Sequence, residues 1–385
     1  LINLIAGRPI VNNQSDRRTV PLVDLKAGFD PIRDEIMSAL ECVFSGMDLN
    51  IGPQCRAFEE EFASYCGVKY AVGVGSGTEA IQFALTACGV SEGDEVITAP
   101  NTFFATAEAV VAAGSRPVFA DIEPLSYTIS PEDIERRITC KTKAIVPVHM
   151  FGQPADMNPI LELAGKYGLS VVEDACQAHG AGYTGAKAGS LGDAGCFSFY
   201  FTKNLGGYGE GGMVTTNSGE IAEKIKLLRN HGHKSKYEHS IFGYNGRLDE
   251  VQAAILRVKL KYLDEYVKKR RAAAQRYAEL LKEIPLTLPE EAPERDHTYH
   301  LYVVRSSKRD ALQTYLHDHG VNTGIHYRIP IHLQEAARPF GYKQGDFPAA
   351  ESACLEILSL PMYPELDEDS QVYIADIIRA FYDGR

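Results

Sequence analysis

The chain has no cysteine pair spaced C-x-x-C and no apolar run near the roughly 18 residues needed to cross a bilayer. Its eight cysteines are scattered from Cys42 to Cys354. That pattern predicts reduced, mostly buried thiols in a cytoplasmic protein. Positive charge is in short supply: 39 Lys and Arg stand against 51 Asp and Glu, for a formal net charge of -12. The deficit argues against a nucleic-acid binder or an anionic-membrane binder. One basic stretch, Lys224 to Lys236, is either a phosphate-facing patch or a solvated helix face. The N-terminus lacks the basic-then-apolar layout of a signal peptide. Residues 1–25 read as a poorly anchored arm. The dinucleotide pattern G-x-G-x-x-G is missing too, because Ala80 stands three residues after Gly77. No P-loop run exists. Cys176, His179 and Cys196 come with no fourth ligand and no known ligand spacing, so no metal is expected. Repeats and low-complexity segments are absent.

What remains is an ordinary globular composition over 385 residues, long enough for two domains. Apolar runs of strand length alternate with helical patterns. Strands are expected at Tyr70–Val74, Glu95–Thr98, Pro117–Ala120, Lys143–His149, Leu169–Glu173 and Gly195–Tyr200. Helices are expected at Thr78–Ala87, Phe103–Ala113 and Pro159–Tyr167. Near-continuous apolar strands between helices predict an α/β fold with a mostly parallel sheet covered on both faces. Such folds bind ligands at the carboxyl ends of their strands. The pattern changes after about residue 217. Helix Ile221–Asn230 is followed by a long amphipathic helix, Asp249–Arg271, that ends in a charged run and bridges to a smaller α/β part. That part holds helix Ala272–Lys282, strand His300–Val304, helix Arg309–His319 and a last helix near Gln371–Tyr382. The expected division is an arm at 1–25, a large domain at 26–248, and a bridging helix with a small domain at 249–385.

Three segments carry chemistry. Gly75-Ser76-Gly77-Thr78 sits where a strand hands over to a helix, and backbone amides with a helix dipole favour a phosphate there. The same residues also read as a plain helix N-cap. Asp174 ends an apolar strand; a carboxylate there can keep a pyridine nitrogen protonated and make the ring an electron sink, or it can merely cap a turn. Gln177 follows at a spacing that reaches a phenolic oxygen on such a ring. Lys203 lies in FYFTKNLGG after a strand. A buried lysine with a lowered pKa supplies the neutral amine that condenses with an aldehyde and later takes a proton from carbon. Ser198 could donate to the phosphate. Phe103 could stack on a pyridine ring or belong to the core. A phosphate cradle, an acid and a lysine, in that order, are what pyridoxal phosphate requires.

The motifs GSGTEAI, APNTFFATAEAV, VVEDACQAHGA, GDAGCFSFYFTKNLGGYGEGGMV and GYNGRLDEVQAAIL resemble the DegT/DnrJ/StrS family of sugar aminotransferases. The resemblance runs from about Val20 to the end, with five motifs in the family's order. It implies fold type I, the architecture of aspartate aminotransferase, with pyridoxal 5'-phosphate as cofactor and pyridoxamine phosphate as its aminated form. It implies a homodimer with shared active sites. Lys203 matches the Schiff-base lysine, Asp174 the pyridinium partner and Gln177 its neighbour at the ring oxygen. Gly77, Thr78 and Ser198 match phosphate contacts, and Phe103 matches the stacking aromatic. Asn245 matches an asparagine that reaches the partner subunit's phosphate. Tyr327 and His332 resemble substrate-side positions. Three residues depart from the family pattern: Phe201 where many members have proline, Gly246 where serine is commoner, and Arg328 where a smaller residue is usual.

The resemblance implies amino transfer from L-glutamate, or glutamine, to a keto sugar carried on a nucleoside diphosphate. Lys203 argues against the dehydratase branch, which has histidine there. Gln177, in place of the histidine of many 4-keto-sugar relatives, points to a 3-keto sugar. Rival readings are a 4-keto sugar, a keto-cyclitol such as scyllo-inosose, and a non-catalytic sensor or regulator. Arg247 is a candidate for holding the donor's carboxylate, and an ordinary salt bridge explains it equally.

Overall fold

The structure, a computed structural model, describes residues 18–384. Most of the expected N-terminal arm therefore lies outside the described residues. At its described end Val20 is buried and bridges Val321, with Val20 N–H donating to Gly320 O at 2.8 Å.

Seven strands form the main sheet. In chain order they are β1 (Tyr70–Val74), β2 (Glu95–Thr98), β3 (Arg116–Phe119), β4 (Thr142–Val146), β5 (Ser170–Asp174), β6 (Ala194–Ser198) and β7 (Gly212–Thr216). Their spatial order is β1-β7-β6-β5-β4-β2-β3. Only β7 runs against the other six, pairing antiparallel with both β1 and β6. The remaining pairs are parallel, so β1, β5 and β6 all end on one edge of the sheet. That edge receives the Gly75–Thr78 turn, Asp174 and the loop to Lys203. The expected strand 143–149 stops at Val146 because Pro147 has no N–H for a ladder. The pairing resumes just beyond, where Asp174 N–H donates to Pro147 O and His149 N–H to Asp174 O.

Helices cover both faces, as near-continuous apolar strands require. On one face, Val72, Val96, Val146 and Val172 pack against Ile81, Phe83 and Leu85 of helix Gly77–Ala87. On the other, Phe58 and Phe62 of helix Pro53–Cys66 meet Phe197 and Phe199, with the Phe62 and Phe197 rings edge to face at 5.0 Å. Edge-to-face pairs add to the burial of such large rings. A further core gathers Tyr277, Leu312, Leu316, Ile374 and Ile378. Strand Tyr302–Arg305 shows the two-residue period directly: Tyr302 and Val304 enter that core, while Val303 faces the core of the large sheet.

The helix break lies elsewhere than expected. Helix Glu250–Leu260 ends at Lys261-Tyr262, and one continuous helix, Leu263–Leu281, follows. The expected boundary at Arg271/Ala272 is wrong because Ala272-Ala273-Ala274 are strong helix formers that carry the helix onward. The charged run Lys268–Arg271 is helix interior, not an end. Arg270 within it is buried and donates to the carbonyls of Tyr299, His300 and Met362 at 3.0 to 3.3 Å. All eight cysteines are free, and only Cys42 and Cys140 are exposed. Among the described residues no helix is long and apolar enough to cross a membrane, and no cluster could hold a metal.

Candidate active site

A cavity of about 520 Å³ opens at the carboxyl edge of β1, β5 and β6. It brings together Gly77, Thr78, Phe103, Asp174, Gln177, Ser198, Lys203 and Tyr327. A wider surface groove of about 820 Å³, between helices Arg33–Gly46 and Glu250–Leu260, contains none of the expected site residues.

The cradle is built by capping. Ser76 is the N-cap of helix Gly77–Ala87, and its hydroxyl accepts from Glu79 N–H at 3.1 Å. The amides of Gly77 and Thr78 have no partner inside the helix, so they are free for an anion. Gly77 is needed for space: a Cβ there would sit 2.6 Å from Ser198 Cβ and 2.9 Å from Cys176 Sγ. This close approach sets Ser198, the last residue of β6, beside the cradle. Gly77→Ala is therefore expected to push the helix end off β6 and weaken phosphate binding by about tenfold to a hundredfold, at 1–3 kcal/mol for an overpacked site. Titration of the protein with pyridoxamine phosphate checks it.

Asp174 is almost wholly buried and its two oxygens are oriented separately. Thr106 Oγ1 donates to Oδ2 at 2.7 Å, and Cys176 N–H to Oδ1 at 3.2 Å. Thr102 Oγ1 lies 3.1 Å from Thr106 Oγ1 and extends the chain of hydroxyls. Gln177 is fixed in one orientation. Its Oε1 accepts from Phe151 N–H at 2.8 Å, so its amide NH₂ faces the cavity and donates to Tyr327 OH at 3.3 Å. The Phe103 ring is half-exposed and lies 5.4 Å, centroid to centroid, from that of Tyr327.

Lys203 is held by its backbone N–H, which donates to Tyr200 O at 2.8 Å. Burial lowers the pKa of its amine, while Cys176 and Asp174 oppose the shift. Two histidines share the cavity. Burial drives His326 down to about 4 and His300 well below its usual range, and Lys203 adds to both effects. Both rings are therefore neutral polar walls. Burial and Asp174 push the Cys176 thiol well up, so it is no nucleophile.

These residues fit pyridoxal phosphate. Two free helix amides beside a glycine with no room for a side chain suit its phosphate. A buried, oriented carboxylate suits its ring nitrogen, an amide donor its phenolic oxygen, and a lysine of lowered pKa its aldehyde.

Three expected residues lie elsewhere. Asn245 is exposed, paired with Asn230 at the base of a hairpin, and does not line its own chain's cavity. Arg247 Nη1 donates to Asn230 Oδ1 at 2.9 Å, also outside the cavity. His332 is buried against the Phe347 ring at 4.8 Å, with Nε2 3.0 Å from Glu351 Oε1. Sequence reasoning missed Thr106, His300 and His326. Thr106 was within reach, since it lies in the first turn of the helix that Phe103 caps, where a hydroxyl can face the same cavity. His326 directly precedes Tyr327. His300 gave no local signal; only the fold brings it to the cavity.

A model of the DegT/DnrJ/EryC1/StrS aminotransferase family matches residues 30–379. The chain is 46% identical over 366 residues to a pleiotropic regulatory protein of Geobacillus stearothermophilus, covering 94% of this chain and 98% of that one. It is 45% identical over 366 residues to a UDP-N-acetyl-3-dehydro-alpha-D-glucosamine 3-aminotransferase of Acidithiobacillus ferrooxidans, covering 95% and 98%. Among solved structures, DesV of S. venezuelae in complex with a ketimine intermediate superposes with a TM-score of 0.93 at 42% identity, covering 95% of this chain and 99% of that one.

Proposed function

The chain belongs to the DegT/DnrJ/EryC1/StrS aminotransferase family, and we propose that it transfers the amino group of L-glutamate to a 3-keto sugar carried on a nucleoside diphosphate. The observation that carries this reading is the meeting of Lys203, Asp174 and the Gly77–Thr78 cradle in one cavity of about 520 Å³. The similarity to a UDP-sugar 3-aminotransferase supports the substrate class. The product would be an aminodeoxy sugar nucleotide. We read the protein as a cytoplasmic homodimer, with a large domain over 26–248 and a small domain over 249–385.

Bound pyridoxal phosphate supplies an electron sink for the carbon that loses its proton. The chain does the rest. Gly77 and Thr78 would hold the phosphate with their amides, and Ser198 with its hydroxyl. Asp174 would keep the ring nitrogen protonated, because Thr106 and the Cys176 amide hold its carboxylate in place. The Gln177 NH₂ would donate to the phenolic oxygen. Phe103 would lie against the ring and exclude water. The neutral amine of Lys203 would hold the aldehyde at rest, then carry the proton from the substrate carbon. Asn245 would act in the partner's site. Its exposure, and the full exposure of Phe242 on the same segment, support that reading.

The test is the visible spectrum of the protein loaded with pyridoxal phosphate, followed as L-glutamate is added across a pH series. Bleaching of the band is expected. Its rate is expected to rise with pH through the lowered range of Lys203, because only the unprotonated amine takes a proton. A nucleotide-linked 3-keto sugar should restore the band, and scyllo-inosose or a 4-keto sugar should not. Cofactor binding with no response to glutamate or glutamine would instead favour a regulatory role.

A further inference from the structure

Helix Gly77–Ala87 begins with the spacing of a capping box, Ser76 at the N-cap and Glu79 three residues on. The Glu79 carboxylate reaches beyond its own helix. It lies between two glycines that are 171 residues apart in sequence, as the numbers 75 and 246 give. An ideal Cβ on Gly75 would stand 2.5 Å from Glu79 Oε2, and one on Gly246 would stand 2.8 Å from Glu79 Oε1. Oε2 thus fills the space of a Gly75 side chain, while Oε1 and the Phe83 ring, 2.9 Å from the same Cβ position, together fill that of Gly246. The Gly75 amide donates to the Gly246 carbonyl at 3.1 Å. Burial raises the Glu79 carboxyl, and a hydrogen bond from the Gly75 amide opposes that rise. The Gly246 amide donates to Arg229 O at 2.9 Å, and Arg229 Nη1 returns to Gly73 O at 2.6 Å. Val74 bridges Arg247 on the same ladder.

We propose that Glu79 is a positioning residue that clamps the phosphate-cradle turn at Gly75 to the Asn245-Gly246 segment, and that Gly246 is glycine because this carboxylate and the Phe83 ring occupy its side-chain space. Gly246, which departs from the family's commoner serine, is then half of a matched pair with Glu79. One carboxylate fixes both the cradle of its own site and the residue offered to the partner's site. The second half of that statement rests on the dimer reading above. The first half does not.

Position and charge make opposite predictions. A carboxylate acting only through its charge repels a phosphate, so its removal tightens binding. A clamp, when removed, loosens the turn and weakens binding. The experiment measures binding of pyridoxamine phosphate, and separately of inorganic phosphate, to Glu79→Ala, Glu79→Gln, Gly246→Ala and the double variant Glu79→Ala/Gly246→Ala. Melting temperature and sedimentation are followed in parallel. Glu79→Ala and Gly246→Ala are each expected to weaken binding about tenfold, and the double variant by clearly less than the roughly hundredfold that independent effects would give. Glu79→Gln, which keeps the shape and the acceptor, should bind at least as tightly as the wild type. Additive losses near a hundredfold, or tighter binding by Glu79→Ala, overturn the clamp. Should Gly246→Ala fail to fold against Phe83, which a Cβ there would approach to 2.9 Å, the two Glu79 variants still decide. Equal affinities for those two overturn the proposal. A monomer with non-additive effects supports the clamp and removes the dimer reading. A dimer with additive effects does the reverse.

Discussion

Lys203→Ala is expected to lower transamination by about ten-thousand-fold, the range lost when a nucleophile that is also the proton carrier disappears. The loaded variant should show no lysine-linked visible band and no response to L-glutamate. It should still bind pyridoxamine phosphate, because the cradle and Asp174 do not depend on the amine. Its fold should survive. The wild-type amine has a pKa below that of an unfolded lysine, so the native state disfavours its protonation. The cost is present at every pH below the unfolded value and grows as pH falls toward the lowered native one. The cofactor-free variant should therefore melt no lower than the wild type at neutral pH, and the gap should close in strong base. Single-turnover spectra and melting curves measure the two effects separately. Near-wild-type turnover would sink the aminotransferase reading, and a collapsed melting temperature would sink the argument about burial.

The large sheet and the heart of the site were legible because their signals are local. Val171 and Val172 before Asp174, and the Gly-Ser-Gly turn after β1, announce strand ends directly. In a mostly parallel sheet those ends must share an edge. Gln177 was legible at the same level, three residues beyond Asp174. The helix break at Lys261-Tyr262 was not, since no glycine or proline marks it and the triple alanine after Arg271 carries the helix past the expected boundary. Arg270 sat in a charged run expected to end a helix, yet its guanidinium is buried against three backbone carbonyls. His300 and His326 reach the cavity only because strand Tyr302–Arg305 and the segment before Tyr327 fold back over the sheet edge. His332 looked like a substrate-side residue from its neighbours in sequence. Packing turned it onto Phe347 and Glu351 instead. Position relative to a strand end is written locally, whereas the return of a distant segment is not.

Asp174→Asn should cost about a hundredfold to a thousandfold in turnover, the usual loss when one preorganised charge is removed from the reacting centre. The change is nearly isosteric, so packing against Val148 and Thr106 persists. The amide cannot satisfy both present donors. Thr106 Oγ1 and the Cys176 N–H each give a hydrogen bond to a different carboxylate oxygen, and asparagine has only one acceptor oxygen. One donor is left facing an NH₂ group, at about 1–3 kcal/mol for a buried unsatisfied group. A second effect has the opposite flavour. Asp174 raises the pKa of Lys203 against the pull of burial. Without its charge the amine falls further, and the acid limb of kcat/KM for the keto sugar, whose free enzyme is the pyridoxamine form with the Lys203 amine unlinked, should move to lower pH even as the plateau drops. A purely structural lesion would lower the plateau and leave that limb in place. Steady-state profiles of wild type and Asp174→Asn over the same pH range separate the two. An unmoved limb would mean that Asp174 serves the cofactor ring alone, and that burial by itself sets the reactivity of Lys203.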